Sequence, residues 1–292
     1  MSIATGPAPG LPVRMPRPRQ PGRHRRPEPL TAPEGAPVLV LAVPGTPTPA
    51  VRSLAEEVMS IARSELSGLD PRIGYLDGDN AEYPTLEAVL TQAASERADD
   101  SPAAVVVPLL AGPDASVVRR IRQAVTDSRA GAEVTDVLGP HPLLAEALHV
   151  RLSEAGLARA DRARLFTVAT AADGIILATV GGEEAVQAAG VTGVLLSARL
   201  AVPVMAAALD MDGSIARAAD QLRSSGSANL ALAPCLIGPE VAAQLLLSAA
   251  EEAGCSGADA LGPYPAVGKL VAAKYTTALG IAPHPSQGAQ AL

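Results

Sequence analysis

The sequence predicts an α/β protein of two parallel-sheet lobes related by internal duplication, and three repeated phrases carry that prediction. The apolar run Val105-Val106-Val107-Pro108-Leu109-Leu110-Ala111 closes on Gly112-Pro113-Asp114 and passes at once into an amphipathic segment, Ala115 to Ser128. That order reads as a buried strand, a tight turn and a helix with an acid at its mouth. Leu230-Ala231-Leu232-Ala233-Pro234-Cys235-Leu236-Ile237-Gly238-Pro239-Glu240 repeats it before a second helical segment, Val241 to Ala253. Leu138-Gly139-Pro140-His141-Pro142 returns as Leu261-Gly262-Pro263-Tyr264-Pro265, and Asp77 has a counterpart in Asp210. In an open α/β sheet such strand ends are where chemistry collects.

In chain order, Met1 to Pro37 is Pro-, Gly- and Arg-rich without periodicity and reads as a disordered tail. Lobe 1 then spans 38–156. Val38 to Val43 is an apolar strand, and Thr48-Pro49 is a cap and first turn, with Val51, Leu54, Val58 and Ile61 on one helical face. Ile73 to Leu76 is a short strand ending in the turn Asp77-Gly78-Asp79-Asn80, and Pro84-Thr85 opens a second helix. The Val105 strand, its helix, a strand at Glu133 to Leu138 and a helix from Leu143 to Ala155 complete a βαβαβαβα series. Residues 157–173 read as a connecting helix. Lobe 2, 174–279, holds strands at Ile175 to Val180, Val202 to Leu209 and Leu230, with helices from Glu183, Ile215, Val241 and Pro265. Residues 280–292 read as a tail.

Composition narrows the function classes. The chain of 292 residues is 48% hydrophobic but only 2% aromatic, so its cores are Val, Leu, Ile and Ala, and duplication favours two of them. A base-stacking platform for single-stranded nucleic acid is not expected. The tail carries Arg14, Arg17, Arg19, Arg23, Arg25 and Arg26 against Glu28 and Glu34, which leaves −11 for the rest of a −7 chain. An acidic body repels phosphate backbones, so nucleic acid is not an expected partner. Cys235 and Cys255 have no CxxC spacing; Cys235, in an apolar run, reads as a packed thiol, and the chain as cytoplasmic. The most apolar window, Val191 to Leu209, contains Arg199 and Pro203 and reads as a helix end and a strand, not a membrane span.

The landmarks resemble those of the sirohydrochlorin chelatases, the small class II metal-insertion enzymes of sirohaem and cobalamin synthesis. Leu76-Asp77, Pro84-Thr85-Leu86-Glu87-Ala88, Val106-Val107-Pro108-Leu109-Leu110 and Leu138-Gly139-Pro140-His141-Pro142-Leu143-Leu144 stand in that family's order over about Val38 to Ala155, and more faintly over Gly174 to Leu279. The resemblance implies insertion of Fe²⁺ or Co²⁺ into sirohydrochlorin. It also implies a cleft at the strand ends, where two histidines and an acid bind the metal and accept the pyrrole protons. The chain departs from this pattern. Pro44 stands at the first histidine position and Asp114 at or beside the second; Gly181 and Glu240 are the equivalents in lobe 2.

What remains is Asp77 with Asp114, and Asp210 with Glu240, as candidate metal ligands. Oxygen ligands alone suit Mg²⁺ or Ca²⁺ better than Co²⁺. The same acids also read as helix caps (Asp114, Glu240) and turn formers (Asp77, Asp210). His141 is the candidate base, or a residue that packs at the start of its helix; His24, His149 and His284 are not placed to serve. Gly45-Thr46, ahead of the Pro49 helix, can offer backbone amides to a tetrapyrrole carboxylate, or simply precede a Thr cap. Three functions follow: a divergent chelatase using Asp77, Asp114 and His141; a non-catalytic tetrapyrrole or metal carrier, or scaffold; and an interaction protein recruited through its Arg-rich tail.

Overall fold

The computed structural model describes residues 30–79, 82–97, 101–158, 172–238 and 240–281. Its first half runs β1 (Leu30–Thr31), β2 (Val38–Val43), α1 (Pro49–Glu65), β3 (Leu66–Ser67), β4 (Pro71–Tyr75), α2 (Leu86–Ser95), β5 (Ala104–Pro108), α3 (Ala115–Ser128), β6 (Glu133–Val134) and α4 (Pro142–Glu154). Its second half runs β7 (Gly174–Thr179), α5 (Gly182–Leu200), β8 (Val204–Ala208), α6 (Ser214–Ser224), β9 (Leu230–Pro234), α7 (Ala243–Glu252), β10 (Ser256–Gly257) and α8 (Pro265–Ala278). The large sheets have strand orders β4-β2-β5-β6 and β8-β7-β9-β10, all parallel, so both halves thread the same path. The duplicated α/β architecture is therefore present.

Each repeated phrase now has a physical reason. Pro108 and Pro234 end central strands, where proline costs a ladder hydrogen bond. The next residue in each case donates to the first strand of its sheet, Leu109 to Ala42 O and Cys235 to Ala178 O, both within 2.9 Å. The proline nitrogens thus face the other neighbour, and β6 and β10 are two residues long, so they end before that bond is needed. The strand expected over Glu133 to Leu138 is cut to its first two residues, and β10, which no apolar run announces, is its counterpart.

The expectation of two separate cores is corrected. Sheet residues alternate faces. Leu39, Leu41, Val105 and Val107 share one buried cluster with Ile175, Leu177, Ala231 and Ala233, together with side chains of α1, α4, α5 and α8. The opposite faces bury against α2 and α3 in the first half and α6 and α7 in the second. The last helix of each half exchanges sides: α8 packs on α1 and β5, while α4 packs on α5 and β9. A Cβ at Gly268 of α8 would lie 2.8 Å from Val58 O, so the α1–α8 crossing needs glycine there. Tyr275 Oη donates to Pro37 O at 2.6 Å, and Arg151 of α4 donates to Leu261 O at 2.7 Å.

The ends of the chain also differ from expectation. Leu30–Thr31 pairs in parallel with Leu66–Ser67, so strand pairing begins inside the stretch read as a tail; residues 1–29 lie outside the described residues. Of the connecting helix over 157–173, residues 159–171 lie outside them, and the Leu157 and Ala158 amides turn back onto Leu152 O. Of the tail at 280–292, only Gly280 and Ile281 are described. Among the described residues, no helix is long and apolar enough to cross a membrane.

Candidate functional site

The carboxyl ends of the two sheets meet. A Cβ at Gly181, just after β7, would lie 2.3 Å from Pro113 O and 3.1 Å from the Asp114 Cα. Gly181 has φ 111°, a conformation costly for any side chain, so this position in the second half holds no ligand-bearing residue. Glu240 is partly buried and turns its carboxylate back, accepting from Ile237 N at 2.8 Å and Gly238 N at 2.6 Å. Burial pushes the Glu240 carboxyl above its ordinary value, against the pull of the Ile237, Gly238 and Ala111 amides.

The other strand-end acids are likewise engaged. Asp114 is the cap of α3, its Oδ1 accepting from Ser116 N at 2.9 Å and Val117 N at 3.1 Å. Asp210 accepts from Gly181 N at 3.0 Å and Gly182 N at 3.2 Å, which satisfies the first free amides of α5. Asp77 pairs with Arg120 of α3, an exposed pair, and shares no partner with Asp114. No group of three or more His, Cys, Asp or Glu side chains able to hold a metal occurs among the described residues. The pairs Asp77/Asp114 and Asp210/Glu240 thus lack a third protein ligand in this geometry.

His141 is the cap residue of α4, and its Nδ1 accepts from Leu143 N at 3.1 Å. Burial, then the charge of Lys274, holds the imidazole below its ordinary value. With Nδ1 accepting, the neutral ring carries its proton on Nε2 and has no free lone pair for a second one. Pro44 is buried, Gly45 turns the chain at φ 79° and Thr46 is exposed, so these residues do reach the strand-end rim. Cys235 is the packed thiol expected of it, pushed up to about 12 by burial.

Sequence reasoning missed three cations. Arg119 and Arg122, one turn apart on α3, line a groove of about 810 Å³ with Lys274 of α8. The spacing of the two arginines was legible in Arg119-Arg120-Ile121-Arg122, but Lys274 reaches them only because α8 crosses to the first half.

Comparison with known proteins supplies the fold and a family match for the first half. No curated protein matches the chain by sequence. Among solved structures, SirB from Bacillus subtilis with Fe³⁺ aligns with a TM-score of 0.60 at 14% identity, covering 82% of this chain and 94% of that one. CbiX, the terminal enzyme for biosynthesis of sirohaem in denitrifying bacteria, aligns at 0.53 and 17%, covering 83% and 99%. DR2241 from Deinococcus radiodurans, a multi-domain protein with structural similarity to chelatases, aligns at 0.53 and 17%, covering 82% of this chain and 54% of that one. At these identities the alignments establish a shared fold alone. The family model of CbiX matches residues 38–155, the first-half span that carries the landmarks. Residues 38–155 thus match the CbiX family model, and the described body has the two-sheet fold of SirB and CbiX.

Proposed function

We propose that this protein is a chelatase relative that binds a sirohydrochlorin-class tetrapyrrole without accelerating metal insertion. The observation that carries the reading is the state of the strand ends. By the resemblance, Pro44 and Gly181 take the first histidine position of each half and Asp114 and Glu240 stand at or beside the second, and both of these acids accept backbone amides. Insertion requires a group that holds Fe²⁺ or Co²⁺ and a base for the displaced pyrrole protons. Carboxylates already accepting amide bonds are poor candidates for either task. The CbiX family-model match over 38–155 and the fold shared with SirB and CbiX support the tetrapyrrole as ligand. The amides of Gly45 and Thr46 are suited to one of its carboxylates.

The competing reading is a working chelatase with Asp77 and Asp114 on the metal and His141 taking protons. It is favoured by the lowered His141 value, which keeps the ring neutral near pH 7. It requires His141 to release Leu143 N and Asp77 to leave Arg120. The deciding experiment gives purified protein sirohydrochlorin with Co²⁺ or Fe²⁺ under anaerobic conditions and follows the visible spectrum. The expected result is a band shift on binding, with insertion no faster than in buffer. Insertion above the spontaneous rate would restore the enzyme; no band shift at all would remove the tetrapyrrole.

A further inference from the structure

We infer that the groove between α3, α5 and α8 binds the acid groups of a planar polycarboxylated macrocycle, with Arg119, Arg122 and Lys274 as its clamps. This rests on the tetrapyrrole reading above and says where the carboxylates go. The groove encloses about 810 Å³. That lies inside the roughly 300–1,000 Å³ typical of small-molecule sites. Val118 and Val137 contribute apolar lining, while Arg119 and Arg122 approach from α3 and Lys274 from the crossing helix. In a body carrying an excess of acids, three cations line this groove, and among the described residues no ion pair engages any of them.

Charge placement selects the ligand class. Asp136 and Glu184 also line the groove, so a compact anion would meet almost no net field. A flat macrocycle with acids spread around its rim can meet each cation separately and keep clear of the two carboxylates. Arginine forks suit such acids through paired N–H donors, and a lysine adds a point charge. The groove also reaches Pro113, Gly139 and Pro140 at the ends of the first sheet, so a macrocycle held there stays beside the strand-end rim.

The test titrates the full chain with uroporphyrin I, an eight-carboxylate porphyrin, and follows the Soret band. Mesoporphyrin, with two carboxylates, and citrate, a small polycarboxylate, are the comparison arms. The triple variant Arg119→Gln, Arg122→Gln, Lys274→Gln is expected to bind uroporphyrin about tenfold more weakly, as three ion pairs of modest strength would give. Arg63→Gln with Lys269→Gln, cations outside the groove, should leave affinity within about twofold, so net charge alone is not the cause. The single exposed change Arg119→Gln serves should the triple variant fold poorly by circular dichroism, and about a twofold loss is expected of it. Unchanged affinity in these groove variants, with wild type binding, overturns the groove and leaves the tetrapyrrole reading standing. Citrate binding as tightly as uroporphyrin overturns the macrocycle. Failure of wild type to bind any porphyrin, sirohydrochlorin included, overturns both.

Discussion

The two halves share one strand order but cap their helices in opposite ways. In the first half, each of the four main helices takes a cap from the side chain immediately before it: Thr48, Thr85, Asp114 and His141. In the second half the residues in those places are Gly181, Gly213, Ala242 and Tyr264, and none makes a side-chain cap bond. The free amides are served from a distance instead. Asp210, at the end of the neighbouring strand, covers α5, and Glu252 of α7 accepts from Ala216 N in α6 at 3.2 Å. Because Thr48 caps α1 locally, Asp77, the topological twin of Asp210, is released to pair with Arg120. The lesson is that one acid position in one fold can be a cap or an ion-pair partner, depending on a residue two elements away.

The strongest way to break the comparison is Gly181→Ala. The new methyl would meet Pro113 O at 2.3 Å on a backbone at φ 111°. Backbone strain and overpacking together should cost roughly 3 kcal/mol, read as a drop in the urea midpoint at unchanged slope. A change under about 0.5 kcal/mol would mean the two sheet ends are not in contact.

A smaller effect separates the twin acids. Asp210→Ala removes the amide partner of α5 and should cost about 1 kcal/mol or more, the usual price of a lost cap. Asp77→Ala removes an exposed ion pair and should cost no more than about 0.5 kcal/mol. Equal losses would show that the capping asymmetry has no energetic weight. Thermal melts of the two variants side by side decide it.

The smallest expected effect is in pH. The His141 imidazole is held below its ordinary value in the folded protein, so the unfolded chain binds the proton more readily. Its contribution to stability is complete above the unfolded value near 6.5 and shrinks as pH falls through it. His141→Asn keeps a cap-competent side chain and removes the titration. Melts at pH 7.5 and 5.5 should therefore converge in the variant relative to wild type, and an unchanged pH difference would take His141 out of the account.

The same asymmetry governs what was legible beforehand. Thr48-Pro49, Thr85-Leu86 and Asp114-Ala115 mark their helices correctly because a cap is a contact between residues two or three apart. Asp114 could be read as a cap for that reason, whereas the partner of Asp77 could not, since Arg120 is 43 residues away. Glu240 resembled a first-turn acid, yet α7 begins at Ala243 and the carboxylate faces backwards. The groove escaped notice because its cations come from two helices that chain order assigns to different halves.

Local chemistry in the sequence determined the long strands, most helix starts and the duplication, because these depend on side-chain periodicity and residue type. Only the tertiary structure decided that α4 and α8 change sides, that the two sheets share their largest core, and that Lys274 stands with Arg119 and Arg122. Those outcomes depend on which apolar faces find each other at long range. A helix with buried residues around most of its surface, as α8 has, specifies that it must be covered but not by which sheet.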